Sequence, residues 1–285
     1  MTAREATASE HRRAALPAHD TARAEPRPEE RSERGAEQMR TREATASEQM
    51  RIGVVERIWR YPVKSMLGEP LQSAELEQRG LVGDRRYAVQ DADGKLGSGK
   101  SNRRFRKFEA LLASTARYGP DGVVVLTLPD GRTVRVDEDR VHDELRAALG
   151  RDSVRLAAEA DLSHHDEAPV HLVTTASLGW LADAVPAATV DERRLRPNLL
   201  VRTEQRAGLV EDAWVGRPLR IGGQVRLQVT HRTERCAMAN AAQPGLEHCG
   251  DILKTVAGRN DMRLGVHADV LAGGTVRLGD PVVLG

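Results

Sequence analysis

From Ile52 onward the chain is a series of short, β-branched apolar runs, and glycine and proline cut each one off before it grows long. "IGVVERIWRYPV" stops at Pro62. "RRYAVQDADGKLGS" breaks on Asp93-Gly94, and "GVVVLTLPDGRTVRVD" on Pro129-Asp130-Gly131. Each reads as strand, turn, strand, because the turn dipeptides supply backbone angles that strand residues avoid. "SVRLAA", "PNLLVRT", "PLRIGG" and "VRLQVTH" are further strands, and "VHADVLAGGTVRLGDPVVLG" reads as a hairpin followed by a final strand. Helical spacing occurs in few places. Val141, Leu145, Ala148 and Leu149 recur on one face, with Gly150 as the stop. "APVHLVTTASLGWLADAV" is a strand feeding a helix capped by Thr174 or Thr175, and "CGDILKTVAG" is a short helix. Many short strands and few, irregularly placed helices predict a mainly β, barrel-like fold and disfavour a doubly wound sheet.

Aromatic residues make up only 3% of the chain, so the core must be aliphatic. Residues 1–50 differ from the rest. "REATASE" occurs at 4–10 and again at 42–48, "EQMR" at 37–40 and again at 48–51, and large apolar residues are almost absent. Such a segment buries too little apolar area to offset its ordering entropy, which predicts a disordered tail, with Met39 or Met50 as an alternative translational start.

Several function classes are excluded. Lys+Arg (43) and Asp+Glu (42) nearly cancel, leaving no field for nucleic acid or an anionic membrane. No apolar run approaches the ~20 residues of a membrane span. There is no G-x-G-x-x-G after a strand and no G-x-S-x-G elbow, and Lys100-Ser101 lacks the Walker spacing. A soluble, cytoplasmic, monomeric protein is expected.

Both cysteines lie in "HRTERCAMANAAQPGLEHCG", residues 231–250. A disulfide, a zinc site and one chemically used thiolate are the competing readings. Two cysteines in a reducing compartment argue against a disulfide. His231, Cys236, His248 and Cys249 have the right chemistry for zinc. The spacing fits no usual finger, and adjacent residues rarely both reach one ion. Cys236 has Arg235, Arg232 and His231 nearby in sequence, and positive neighbours favour thiolate, the form that binds soft metals and attacks sulfur. Cys249, at the start of a short helix, reads as a packing or surface residue. His164 and His165 read as loop residues.

Six blocks in order carry a family resemblance: "YPVKSM", "GLVGDRRYAV", "DEAPVHLVTTASL", "RLRPNLLV", "ERCAMAN" and "LGVHADVLAGGTVRLGDPVVL". Together they resemble the MOSC family with an N-terminal β-barrel, which includes the mitochondrial amidoxime-reducing component and the C-terminal domain of molybdenum cofactor sulfurase. The resemblance implies an N-terminal β-barrel domain over 51–160 and a MOSC domain over 161–285. It implies molybdenum cofactor (Mo-molybdopterin) as the cofactor, with Cys236 as metal ligand and catalytic residue. Lys64, Ser65, Arg85, Asp166, Arg196 and Asn198 would then surround the pterin and its phosphate. Pyridoxal phosphate binding comes with the resemblance only as a family-level association. Ala239 stands where relatives usually carry a hydroxyl, and "ADGKLGSGKSNRRF" matches no block of the reductases. The expected activity is reduction of an N–O or S–O bond in a small-molecule substrate. Without a ferredoxin-like cysteine series or a haem motif, a separate electron-donor protein is expected. The alternatives are a sulfur carrier with a persulfide on Cys236 and a non-catalytic cofactor-binding module.

Overall fold

The computed structural model describes residues 50–161 and 163–285. The tail expected over 1–50 lies outside the described residues except for Met50, which begins the first strand. In chain order the elements are β1 (Met50–Arg60), β2 (Glu69–Leu71), β3 (Ser73–Glu77), β4 (Gly80–Leu81), β5 (Tyr87–Gln90), β6 (Leu96–Ser98), β7 (Phe105–Lys107), β8 (Thr115–Tyr118), β9 (Val124–Thr127), β10 (Thr133–Arg135), α1 (Val141–Leu149), β11 (Arg155–Ala158), β12 (Val170–Thr174), α2 (Thr175–Ala184), β13 (Leu199–Arg202), β14 (Pro218–Ile221), β15 (Val225–Glu234), α3 (Asp251–Asn260), β16 (Arg263–Ala272), β17 (Gly274–Arg277) and β18 (Pro281–Leu284), with short 3₁₀ turns between. The fold is mainly β, as expected.

Seven strands close a barrel in the order β13-β12-β16-β15-β14-β18-β1, and β1 returns to pair with β13. β12 and β13 run parallel, and the other pairs in the ring are antiparallel. Closure removes the free strand edges that an open sheet would present. The interior is aliphatic as the composition requires: Val55, Ile58, Leu172, Leu199, Leu227, Val266 and Val282 are buried in one cluster, with Trp214 the aromatic among them.

Residues between 63 and 156 build a second core. The β10-β9-β8 and β11-β5-β6-β7 sheets share it with α1, through Val63, Met66, Leu111, Leu126, Leu145 and Leu156. Single parallel bridges from Val63 to Tyr87 and from Leu67 to Thr115 tie the two sheets together. β1 belongs to the barrel although it precedes this unit in the chain, and the described residues from 50 onward form one compact unit.

Local expectations explain the helices. Gly150 takes a left-handed φ of 60° and closes α1, its N–H reaching the last-turn carbonyls. Thr174 caps α2, its side chain accepting from Ser177 N–H. The expected closing hairpin is not formed. β16 pairs with β15 and β12, whereas β17 leaves it to pair with β3. Two glycines cause the departure. Gly274 has φ 144°, and a Cβ at Gly273 would sit 2.4 Å from the Leu76 carbonyl oxygen, so the chain can run this close to β3 only without side chains. Among the described residues, no helix is long and apolar enough to cross a membrane.

Candidate functional site

One cleft gathers residues from remote segments: Arg85, Asp166, Arg196, Asn198 and Cys236 all line it. It holds about 750 Å³ of empty space counted to its open mouth. The backbone around it is unusual. The described non-glycine residues with positive φ are Ser65 (66°), Arg85 (50°), Arg196 (56°), Asp261 (50°) and Met262 (66°). Side-chain-bearing residues rarely adopt this region, and the fold must hold them there. The first three are residues to which the resemblance assigns cofactor contacts. Met262 accepts a 2.7 Å hydrogen bond from the backbone N–H of Arg235, which also lines the cleft.

Arg196 is the clearest candidate in the cleft. Its side chain is buried, and neither Nη1 nor Nη2 has a hydrogen-bond partner. The guanidinium carbon packs 4.2 Å from the centre of the Tyr61 ring. A cation on an aromatic face is worth about 0.5–2 kcal/mol and leaves the N–H donors free. Burial lowers the Arg196 pKa to about 10, with Tyr61 opposing the shift, so the side chain stays cationic at neutral pH. Arg85 packs on the same ring at 4.9 Å. Burial works against its charge, but the paired Asp84 and the nearby Asp166 together outweigh that and raise its pKa. Asp84 is itself held by the Tyr61 backbone N–H at 2.7 Å and has His165 Nε2 3.6 Å away.

Lys64 and Ser65 stand behind the wall of the cleft and do not line it. Lys64 is buried, with its ammonium 4.8 Å from the Phe105 ring centre, and it ion-pairs with Asp166, whose carboxylate is half exposed. Burial lowers the Lys64 pKa and Asp166 opposes the shift. Lys64 therefore anchors a carboxylate at the cleft instead of meeting an anion there. Ser65 donates to the Gly97 carbonyl at 3.1 Å, fixing the strand that carries Ser98. Asn198 lines the cleft, but its amide serves the barrel: Oδ1 accepts from His171 N–H at 3.2 Å and Nδ2 donates to the Trp59 carbonyl at 3.4 Å.

Cys236 follows β15, half-buried, and its carbonyl accepts from Ala239 N–H at 3.0 Å. Both cysteines are free thiols. Cys249 packs against the apolar cluster between α2 and α3. Of the three cationic neighbours in sequence, only Arg235 faces the same cleft. Arg232 turns to Asp212 and Asn260, and His231 to Glu167. Arg235 is buried and spent on structure: it donates to the carbonyls of Leu264 and Leu195 at 2.8 Å each, and to His171 Nε2 at 2.5 Å. Burial lowers its pKa to about 10, with Cys236 opposing. The other His171 nitrogen, Nδ1, donates to the Arg196 carbonyl at 3.2 Å. With one nitrogen donating and one accepting, the imidazole is neutral. Burial, followed by Arg235, holds its pKa well below the usual histidine value. This chain of contacts couples the Arg196 backbone to the segment bearing Cys236. Gly265 makes room for it, since a Cβ there would lie 2.8 Å from the Leu172 carbonyl oxygen and 2.9 Å from His171 Nε2.

Sequence reasoning missed two features. Ser98 and Lys100, in the segment that matched no family block, line the cleft, and Lys100 adds a cation. His171 on β12, His267 on β16 and His231 on β15 face one another in register across three neighbouring strands, with ring centres 5.1 Å apart at each step. Strand alternation could have flagged each histidine singly. Their common row depends on strand order and on the irregularity between Val229 and His231.

Against known families, residues 52–172 match the model of the MOSC N-terminal beta barrel domain and residues 159–283 that of the MOSC domain. The chain belongs to the MOSC family, in its form with an N-terminal barrel domain. No curated protein matches it. Among solved structures it is similar to the YUAD protein from Bacillus subtilis, at 11% identity and TM-score 0.47, covering 83% of this chain and 96% of that one. A second match is described as a hypothetical protein, at 13% identity and TM-score 0.41, covering 84% of this chain and 70% of the other. YiiM from Geobacillus stearothermophilus matches at 15% identity and TM-score 0.34, over 46% of this chain and 67% of that one.

Proposed function

We propose that the cleft binds molybdenum cofactor and that the protein is an oxidoreductase acting on an N–O or S–O bond of a small molecule. The supporting observation is that the buried, unpartnered guanidinium of Arg196 and the thiol of Cys236 line the same cleft. Two orphaned charged donors are costly unless an anion meets them, and a phosphate fits a guanidinium fork. A thiolate is the soft ligand that a molybdenum centre accepts. The donor set therefore fits the cofactor that MOSC domains are associated with.

When bound, the cofactor would supply a metal centre able to deliver two electrons. The chain's own residues bind and orient. Cys236 is the metal ligand. Arg196, with Arg85 and Lys100 nearby, takes the phosphate. Asp166, held by Lys64, presents an acceptor for pterin N–H groups. His171 and Arg235 fix the relative position of the Arg196 and Cys236 segments. Electrons would reach the site from a separate donor protein.

The test is metal analysis after expression in a cofactor-producing host. About one molybdenum per chain, lost in Cys236→Ala, is the expected result. Absence of molybdenum together with cyanide-labile sulfur on Cys236 would replace this reading with a sulfur carrier. Molybdenum retained without reductase activity on hydroxylamines, amidoximes or sulfoxides would leave a cofactor-binding module.

A further inference from the structure

Glu167, His231 and His267 form a second cluster at the mouth of the cleft, separate from the Cys236 and Arg196 set. One ligand atom from each lies within 4.8 Å of the other two. Glu167 Oε2 is 3.1 Å from His231 Nε2 and 3.5 Å from His267 Nε2. These match the ligand–ligand edges of about 3.3 Å that a tetrahedral ion with bonds of about 2.0–2.1 Å requires.

The hydrogen-bonding pattern adds an independent reason. Thr230 Oγ1 donates to the His267 carbonyl at 3.2 Å, so its oxygen is left to accept at 2.9 Å from His231 Nδ1–H. That contact fixes the orientation of the His231 ring, as hydrogen-bond partners of the non-ligating nitrogen do for metal-binding imidazoles. His231 Nε2 then faces the Glu167 carboxylate oxygen at 3.1 Å, a gap that either a proton or a cation can fill. His267 is buried with Nδ1 unpartnered, and its Nε2 points at the same oxygen from beyond hydrogen-bond range. Both histidines sit on paired barrel strands, in register with each other, so the imidazoles are presented by a rigid scaffold.

The geometry points to a binding site for a divalent ion of the zinc class, held by Glu167 Oε2, His231 Nε2 and His267 Nε2. Two imidazoles and one carboxylate suit a borderline-soft ion and leave a fourth position open. Glu167 and His267 also line the cleft, so the open position serves an oxygen atom of a molecule entering it. Cys236 takes no part, and the site stands whether or not the molybdenum reading holds.

The experiment is calorimetric titration of chelator-treated full-length protein with Zn²⁺, repeated with Co²⁺ to record the absorption of the bound ion. Wild type should bind one ion per chain, and the cobalt spectrum should lack a thiolate charge-transfer band. Glu167→Gln and His231→Ala, both at exposed positions, should weaken binding at least about tenfold without altering the melt of the metal-free protein. Cys236→Ala should bind within about twofold of wild type. No saturable binding would overturn the site and leave a protonated histidine–glutamate pair in its place. A charge-transfer band, loss of binding in Cys236→Ala, or binding unaffected by both Glu167→Gln and His231→Ala would overturn it as well.

Discussion

Replacing Arg196 by Met keeps most of the buried stem and removes the charged fork. In wild type both Nη atoms are buried without partners, so an incoming phosphate gains a charge-assisted contact worth about 1.5–3 kcal/mol. Losing it weakens binding about 10- to 150-fold. At phosphate equal to ten times the wild-type Kd, linkage stabilises wild type by about 1.4 kcal/mol and the variant by about 0.4 kcal/mol or less. For a folded unit of this size, that is a rise in Tm of about 3–6 °C against less than about 2 °C. Without phosphate the two proteins should agree within about 1 kcal/mol, because relief of two orphaned donors offsets the lost stacking on Tyr61. Arg196→Lys should fall between them, since it keeps the charge but loses the fork. The assay is a series of thermal melts at fixed ionic strength across a phosphate titration. Equal phosphate-induced shifts in wild type and Arg196→Met would refute the anion site.

Three further outcomes are expected. Cys236→Ala should leave the urea midpoint nearly unchanged while removing bound molybdenum, whereas Cys249→Ala, packed against the apolar cluster between α2 and α3, should lower the midpoint and spare the metal. Asp166→Asn should cost about 3 kcal/mol in urea unfolding, because it strands the buried Lys64 ammonium, and Lys64→Met should cost less, because the half-exposed Asp166 carboxylate can turn to water. Gly265→Ala should destabilise by about 1–3 kcal/mol, since it forces a side chain into φ 81° and against the Leu172 carbonyl; circular-dichroism melts measure this.

Local chemistry was legible wherever one residue decides the geometry. Thr174 caps its helix through its hydroxyl and Gly150 ends its helix because, lacking a side chain, it takes the left-handed conformation, and the Asp-Gly turns separate the strands they flank. The mainly β class followed from strand length and punctuation. Long-range pairing was not legible. The departure of β17 onto β3 depends on a backbone approach at Gly273 that no propensity encodes. For the cleft, the motif blocks named Arg85, Asp166, Arg196, Asn198 and Cys236, which line it, but could not show that Lys64 reaches it only through Asp166. Of the cationic neighbours of Cys236 in sequence, Arg232 turns to Asp212 and His231 to Glu167, because β15 changes register between Val229 and His231 and again between Arg232 and Glu234. The histidine row needed strand order and register together.

The closure of the barrel through β1 has a consequence for how the chain is made. Val54 pairs with Pro281 and Val55 with Val201, so β1, the first of the described strands to leave the ribosome, waits for two of its partners until late in synthesis. At about 5–20 residues per second this leaves β1 without them for on the order of ten seconds or more. The second core, complete by residue 156, can collapse first and hold the early segment out of aggregation while the ring waits for its last strand. Folding speed should then be set by the closing of β18 onto β1, a long-range event of the kind that makes β-rich topologies slow. A nascent chain arrested before residue 281 should protect the small sheets from proteolysis while the β1 segment stays cleavable.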